Sequence, residues 1–186
     1  TNKKDTNNLI KDGNKRVVEA RLADAKFFWD KDKSKNLIKQ IAKLKDVKFY
    51  EGLGSVYDKT QRLRKLSGML ADEFNLNKEK AEIAASISKS DLCSDLVNEY
   101  PDLQGLLGKY FALSQGFEED VSNAVSDHYL PLGNNSMTSK KPISYIVAIS
   151  DKIDTLVGFF LINEKPTSSK DPFALRRSAI GLLRTI

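Results

Sequence analysis

The sequence predicts an all-α fold, an irregular bundle of several helices. Nearly every segment places its apolar residues three or four positions apart, which is the helical period. No run of alternating apolar and polar residues is long enough for a confident strand, and no repeat of fixed period is evident. With 186 residues, of which 40% are hydrophobic and 30% charged, the chain has the length and composition of one soluble domain. We therefore expect residues 1–186 to form a single α-helical domain.

Residues 15–50 are expected to form an N-terminal helical hairpin. The first helix covers the segment RVVEARLADAKFFW, whose apolar residues recur at helical steps. The charged stretch DKDKSK is expected to turn the chain, and Ser34 is the expected N-cap of the second helix.

Residues 55–162 are expected to form the helical core. Two glycines just before Ser55 predict a break in the chain, after which Ser55 opens a long helix. Asn77 is the expected cap of the next helix. Pro101 is expected to start another helix, which ends at Gly116.

The most buried helix is expected to follow a flexible loop. The loop is the polar stretch LGNNSMTSKKP, and the helix lies within ISYIVAISDKIDTLVGFFLI. Because Asp151, Lys152 and Asp154 interrupt its apolar run, the sequence predicts a buried helix of a soluble protein and no membrane span.

Residues 171–186 are expected to begin one more helix. Asp171 is its predicted N-cap, and Pro172 stands at the first helical position. Arg177 and Arg184 lie on the face opposite the apolar residues. The pattern stops at the last residue without a C-cap, so we interpret the helix as cut short at the end of the chain.

Cysteine and histidine are too rare for most catalytic or metal-binding clusters. The single cysteine, Cys93, excludes an internal disulfide and suits a reducing cytoplasm. The only histidine, His128, is expected to be partly exposed near the C-terminus of a helix. No phosphate-binding loop or dinucleotide fingerprint is present, and the N-terminal segment has no apolar region typical of a signal peptide.

One pair of carboxylates stands out on the buried helix. Asp151 and Asp154 are three residues apart and therefore share a face. They could bind a metal ion or act as an acid and a base. We favour a structural role in which basic side chains neutralise them, because a carboxylate pair without an imidazole is a poor transition-metal site; a magnesium site stays open.

The basic residues suggest an anionic partner. A net charge of +5 permits a nucleic-acid partner without requiring one. We predict that two groups of cations bind phosphates: Lys170, Arg176, Arg177 and Arg184 around the last helix, and Arg62 and Lys65 on an earlier one. The exposed start of the last helix could itself meet a phosphate. The alternative is that all of these are ordinary solvated surface charges.

Several sequence blocks carry a resemblance to a known family. They are GNKRVVEARLADAKFFWDKD, GLGSVYDKTQRLRKL, KSDLCSDLVNEYPDLQGLLGKYFAL, DHYLP, SDKIDTLVGFF and SSKDPFALRRSAIGLLR. In this order they resemble the β subunit of bacterial heterotetrameric glycyl-tRNA synthetases, and KDPFALRR and DLQGLLGKY are the most specific. The resemblance implies an internal part of a longer chain, which continues into further helices and an anticodon-binding domain.

The resemblance also implies a helical domain like that of the HD phosphohydrolases, which hold a metal with two histidines and two aspartates. Asp91 and Asp151 stand at the matching aspartate positions, while the histidines are absent. The expected site is therefore vestigial, with no metal and no catalytic residue in this segment.

The family resemblance finally implies a division of labour. The α subunit makes glycyl adenylate, and the β subunit supplies most of the tRNA binding. We expect this segment to help position the acceptor arm of glycine tRNA in the cytoplasm, with the α subunit and the rest of the β subunit as further partners and no membrane. ATP and magnesium would serve the whole enzyme, and no cofactor is expected in this segment. Two alternatives are a scaffold for subunit assembly and an active metal-dependent HD phosphohydrolase.

Overall fold

The all-α prediction is confirmed by a computed structural model, which describes residue 5, residues 7–133 and residues 136–186. Nine α-helices lie within these ranges: α1 (Leu9–Lys33), α2 (Leu37–Ile41), α3 (Val56–Glu73), α4 (Lys78–Ile87), α5 (Asp95–Glu99), α6 (Leu106–Ser114), α7 (Glu119–Asp127), α8 (Pro142–Leu161) and α9 (Leu175–Thr185). None of these helices, in the part of the chain that is described, is long and apolar enough to cross a membrane. In the loop predicted to be flexible, Asn134 and Asn135 fall outside the described residues.

The core lies among α3, α4, α6, α7 and α8. Its fully buried side chains include one from each helix: Leu63, Ile87, Phe111, Val125 and Ile146. Helix α9 packs along α8, whereas the first turns of α1 are exposed. Because α3 and α8 run against each other, polar side chains on their facing sides are brought together in the interior.

The N-terminal hairpin differs from the prediction in its second arm. Helix α1 continues through the expected charged turn, since lysine and aspartate do not break a helix. Ser34 is the C-cap of α1, and the cap of α2 is Asn36, whose side chain accepts a hydrogen bond from the Lys39 amide. The end of α1 is fixed by Asp32, whose buried carboxylate accepts a hydrogen bond from the Leu96 amide at 2.8 Å.

Two short strands replace the predicted break before α3. They are β1 (Lys48–Tyr50) and β2 (Gly54–Ser55), which pair antiparallel. Gly52 has a positive φ of 82° in the connecting turn, a conformation that glycine adopts without strain. Strands of two and three residues are too short to show an alternating pattern, which explains why the sequence did not predict them.

One predicted helix start, at Ser55, and one predicted cap, Asn77, are confirmed. Ser55 and Asp58 form a capping box, in which the Ser55 hydroxyl accepts from the Asp58 amide and the Asp58 carboxylate accepts from the Ser55 amide. Asn77 accepts from the Lys80 amide at 3.0 Å. Both caps depend on residues three apart, and such local signals are legible in the sequence.

The helix predicted from Pro101 to Gly116 is interrupted. A 3-10 helix covers Pro101–Leu103, and α6 begins only after Gly105. Gly105 has a φ of 80°, and its amide donates to Asp91 Oδ2 at 2.6 Å. A helix cannot pass through that conformation, so a distant carboxylate fixes where α6 starts.

The last helix begins at Leu175 and not at Pro172 as predicted. The N-cap residue is Ala174 and not Asp171 as predicted, but the Asp171 side chain still binds the first amides of the helix. Its two carboxylate oxygens accept from the amides of Leu175, at 2.8 Å, and Arg176, at 3.0 Å. The carboxylate thus satisfies the start of α9 from outside the helix.

Two helical glycines are expected to respond to alanine with opposite signs. A Cβ on Gly108 of α6 would lie 2.7 Å from Val125 Cγ1 and 3.0 Å from Asp91 Oδ2, both in the core. Gly108→Ala is therefore expected to lower the free energy of unfolding by about 1–3 kcal/mol. Gly13 of α1 has no heavy atom within 4 Å of an added Cβ, so Gly13→Ala is expected to raise it by roughly 0.5–1 kcal/mol. Urea denaturation measures both, and a gain at Gly108 would contradict the packing.

Candidate functional site

A buried cation joins α3 to α8. Lys59 is 4% exposed, and its ammonium lies 2.9 Å from Asp151 Oδ1 and 3.1 Å from Asp154 Oδ2. The same ammonium donates to Thr155 Oγ1 at 2.9 Å and lies 4.8 Å from the centre of the Phe49 ring. Since carboxylates three residues apart share a face of a helix, one lysine spans both.

Arg62 completes the neutralisation of Asp154. Its Nε and Nη2 donate to the two oxygens of the Asp154 carboxylate at 2.5 and 3.2 Å, and its Nη1 donates to the Leu53 carbonyl at 3.2 Å. This is the bidentate geometry in which arginine binds a carboxylate most strongly. Arg62, predicted as a phosphate ligand, is therefore used inside the protein.

A second buried lysine approaches Asp151 from the other side. The Lys89 ammonium lies 3.4 Å from Asp151 Oδ2, 2.8 Å from His128 Nε2 and 4.0 Å from the centre of the Tyr129 ring. His128 Nδ1 lies 2.9 Å from the Val125 carbonyl, which can only accept a hydrogen bond. The Nδ1 atom must therefore carry the proton, and the neutral ring accepts from Lys89 at Nε2.

The pKa values of these groups follow from their burial and their neighbours. Burial, reinforced by the Lys89 ammonium, holds the pKa of His128 well below its usual range. Burial alone would raise the pKa of Asp151, but Lys59 and Lys89 reverse that effect and hold it far below its usual range. The cluster is thus an ionised aspartate between two lysines, beside a neutral histidine.

Lys152 forms a separate buried contact. Burial lowers its pKa to about 8. Its ammonium donates to three backbone carbonyls, those of His128 at 3.3 Å, Leu130 at 2.6 Å and Ala148 at 3.4 Å. These bonds attach the segment that follows α7 to helix α8.

The two aspartates predicted to be remnants of a metal site, Asp91 and Asp151, have different surroundings. Asp151 contacts Lys59 and Lys89, while Asp91 accepts from the Gly105 amide, and burial raises the pKa of Asp91. Among the residues that the structure describes, no group of three or more histidine, cysteine, aspartate or glutamate side chains could hold a metal ion.

His128 is fully buried, so the prediction that it is partly exposed is wrong. Its two ring nitrogens contact Lys89 and the Val125 carbonyl, and neither contacts Cys93. Cys93 lies against the Gln40 carbonyl, and burial raises the pKa of its thiol. The pair therefore cannot form a nucleophile activated by a base.

The predicted phosphate ligands differ in whether their side chains already have a partner within the protein. Lys65, Lys170 and Arg177 are exposed, and within the described ranges their side chains make no hydrogen bond or ion pair. Arg176 donates to the Thr167 carbonyl. Arg184 donates to the carbonyls of Gly133, at 3.1 Å, and Ser136, at 2.8 Å, and so holds the loop before α8 against α9.

The start of α9 is already bound to an anion of the protein itself. The Asp171 carboxylate accepts from the Leu175 and Arg176 amides. A phosphate at this position would have to displace that carboxylate, so the amides give no support to the expected phosphate site.

All 186 residues, 1–186, match the family model described as glycyl-tRNA synthetase beta subunit. The chain belongs to this family. The predicted resemblance to the β subunit is thereby confirmed.

Individual relatives agree with this assignment. A protein of Rhodospirillum centenum named glycine–tRNA ligase beta subunit is 46% identical over 177 residues, which make up 94% of this chain and 25% of that protein. The proteins of the same name from Phenylobacterium zucineum and Acidithiobacillus ferrooxidans are 45% and 46% identical, over 95% and 96% of this chain and 27% and 26% of their own lengths. The chain therefore spans about a quarter of the length of the curated relatives it matches.

The role of Lys59 and Lys89 in this β-subunit segment was missed by sequence reasoning. A signal for Lys59 was present, because it falls on the inner stripe of α3, one turn after Val56 and one turn before Leu63. A lysine on the apolar face of a helix becomes buried, and its charge then requires a carboxylate as a partner. Lys89 lies outside a regular helix and carried no comparable signal.

Stability of the β-subunit segment is expected to fall below neutral pH because of His128. The unfolded histidine binds a proton near pH 6.5, whereas the folded one, which faces Lys89, Lys152 and Asp151, stays neutral to a much lower pH. The stabilising effect of the neutral state is therefore complete above about pH 6.5 and is lost as the pH falls toward the pKa of the folded histidine.

Denaturation curves between about pH 8 and pH 5 measure this effect. His128 is the only histidine in the chain, so His128→Gln should remove most of the slope in that range. The low pKa of Asp151 affects stability only at more acidic pH, the lowered pKa of Lys152 acts near pH 8, and the raised pKa of Asp91 acts toward acidic pH with the opposite sign. These three groups are present in the wild type and in His128→Gln, so the difference between the two curves isolates the histidine. An unchanged slope in His128→Gln would show that the histidine is not responsible.

Proposed function

We propose that this chain is a non-catalytic helical part of a glycine–tRNA ligase β subunit, and that it helps to hold the acceptor arm of tRNA in the cytoplasm while the α subunit attaches glycine. Family membership supports the assignment to the β subunit. The observation that carries the tRNA contact is the pair of cations Lys170 and Arg177, which flank the start of α9. Both are exposed, and their side chains make no hydrogen bond or ion pair with the described residues. Such cations are free to bind phosphates.

The six predicted phosphate ligands do not contribute equally to this proposal. Lys170 and Arg177 are its centre, and Arg176 adds the guanidinium donors that its single bond to Thr167 leaves over. Lys65 remains a candidate on α3. Arg62 has a structural role, because turning toward a phosphate would leave the buried Asp154 without its bidentate partner.

Arg184 likewise has a structural role in the proposal, since it holds backbone carbonyls of the preceding loop. The residues to be tested in binding are therefore those whose charge is not already used within the chain. This narrows the tRNA contact to the beginning of α9, with a second point on α3.

The alternative of an active HD phosphohydrolase has a specific obstacle. The ammonium groups of Lys59 and Lys89 lie 2.9 and 3.4 Å from the Asp151 carboxylate. A divalent cation bound to that carboxylate would face two positive charges at close range. We therefore propose that these lysines take over the neutralising role of a metal and that Asp151 is structural. ATP and magnesium would belong to other parts of the enzyme.

A second candidate function is docking onto the α subunit or the rest of the β subunit. A groove of about 430 Å³ between α8 and α9 is lined almost wholly by apolar side chains, including Leu156, Val157, Phe160 and Ala179. Large exposed apolar surfaces often bind another protein. This groove favours a scaffold role, which can coexist with tRNA binding on the neighbouring cations.

A titration with glycine tRNA at several salt concentrations tests the proposal. Binding should weaken steeply with salt, and Lys170→Ala and Arg177→Ala should each lower the logarithmic slope by roughly 0.7–0.9 if one phosphate contact is lost. The matched control is Arg16→Ala, which removes an exposed charge on α1 and should change nothing. A tRNA of another specificity tests for readout of the glycine tRNA.

The outcomes separate the two candidate functions. Equal loss in Arg177→Ala and Arg16→Ala would mean that only net charge matters and would remove α9 as a site. No binding at low salt by a folded chain would contradict the tRNA proposal and favour docking through the groove.

A further inference from the structure

Three buried polar atoms without a hydrogen-bond partner belong to side chains around one small cavity. They are Gln40 Oε1, Ser90 Oγ and Asp91 Oδ1. Their residues are 7%, 1% and 1% exposed, respectively. All three side chains line the same cavity, which lies between α2, the 3-10 helix Ser90–Cys93 and Phe111 of α6. Buried polar atoms are seldom left without a partner, so this cluster requires an explanation.

The other polar groups around the cavity already have partners. Asp32 accepts from Lys35 at 2.6 Å and from the Leu96 amide at 2.8 Å. Ser94 Oγ donates to the Asp91 carbonyl at 2.7 Å. None of these groups is available as a partner for the three free atoms. Their hydrogen bonds must therefore come from a bound species in the cavity.

The Asp91 carboxylate and the backbone of Gln40 are also held in place. The second oxygen of the Asp91 carboxylate accepts from the Gly105 amide at 2.6 Å, which fixes the orientation of the carboxylate. The backbone of Gln40 is anchored by a contact of its carbonyl with Cys93 Sγ at 3.9 Å. A simple rotation would break the first of these contacts, so relaxation of Asp91 does not provide a partner.

The volume of the cavity limits the size of any molecule that can bind in it. About 10 Å³ is open to a water-sized sphere, which is the room that one water molecule needs. An organic molecule or a hydrated ion does not fit. Any ligand must be a single small species with polar partners.

We propose that one ordered water molecule is bound in this cavity by Gln40, Ser90 and Asp91. The donors and acceptors match. Water donates one hydrogen bond to Gln40 Oε1 and one to Asp91 Oδ1, and it accepts a hydrogen bond from the Ser90 hydroxyl. Three hydrogen bonds are the usual number for a buried water. A hard cation such as calcium or magnesium takes six or more oxygens, twice the number available here.

The water would serve as a structural link. It joins α2, at Gln40, to the 3-10 helix that carries Asp91, and Asp91 in turn determines where α6 begins through Gly105. The short α2 would thus be fixed to the bundle by a polar contact in addition to its apolar ones.

Two measurements on the 186-residue chain test the proposal. Magnetic relaxation dispersion of water oxygen-17 counts waters that stay in the protein longer than the tumbling time, and a high-resolution crystal structure locates them. The double variant Gln40→Met, Ser90→Ala removes two of the three partners and fills part of the cavity. The dispersion amplitude should fall by the contribution of one water, and one electron-density peak should disappear.

The matched control is Ser67→Ala, which also removes a buried hydroxyl. Ser67 Oγ already donates to Ser150 Oγ at 2.9 Å, so its loss should leave the dispersion amplitude of the cavity water unchanged. An equal amplitude in the wild type and the double variant would overturn the proposal. A crystal structure in which Gln40, Ser90 and Asp91 bond directly to one another, or in which a metal ion with short oxygen distances occupies the cavity, would overturn it as well.

Discussion

Replacing Lys59 with alanine is expected to lower the free energy of unfolding by about 3–5 kcal/mol. The Lys59 ammonium is the one cation that contacts both Asp151 and Asp154 among the described residues. Without it, Asp154 keeps Arg62 and Asp151 keeps only the more distant Lys89. A buried carboxylate without adequate neutralisation is costly, which is the reason for the large effect. Chemical denaturation at neutral pH measures the loss.

Lys65→Ala is the matched control for this prediction. Lys65 lies on the same helix, but it is exposed and makes no ion pair with a described residue. Its replacement should change stability by no more than about 0.5 kcal/mol. If Lys59→Ala costs no more than Lys65→Ala, the carboxylates do not depend on Lys59 and the structural role assigned to the cluster is wrong.

Features that depend on neighbouring residues could be predicted from the sequence. The helix start at Ser55 and the cap at Asn77 could be predicted because a cap bonds to an amide only three residues ahead. Helical spacing likewise predicted the all-α class. The identity of the α2 cap was missed because Ser34 and Asn36 are both good caps, and the choice depended on how far α1 continues.

Features fixed by distant contacts could not be predicted. The break before α6 depends on the bond between Gly105 and Asp91, which are 14 residues apart in the chain, with α5 between them. The burial of His128 depends on Lys89 and on the Val125 carbonyl. A pattern of apolar residues indicates that a helix ends near residue 128, but it contains no information on what covers that end.

The same limit applies to the predicted phosphate ligands. Arg62 and Lys65 are three residues apart on α3 and look equivalent in the sequence. One of them is bound to Asp154, which lies 92 residues further along the chain, and the other is exposed. Sequence composition identifies cations, whereas only the packing of α3 against α8 shows which of them are already neutralised.

Replacing Phe111 with alanine is the second change for which a large effect is expected. Phe111 is 2% exposed in the central core, and its ring stacks on Trp29 with centroids 5.2 Å apart. Removing a buried phenylalanine ring typically costs about 3–5 kcal/mol, because contacts are lost and a cavity remains. The variant should also weaken the attachment of α1, since Trp29 is the part of α1 that packs against this ring.

Trp29 provides a direct readout, because it is the only tryptophan in the chain. Its fluorescence should shift to longer wavelength in Phe111→Ala as the indole loses its stacking partner and gains access to water. Tyr110→Ala, at a neighbouring but 49% exposed position of α6, is the matched control and should leave both stability and emission nearly unchanged. A folded Phe111→Ala variant with unchanged Trp29 emission would show that α1 is held to the core by other contacts.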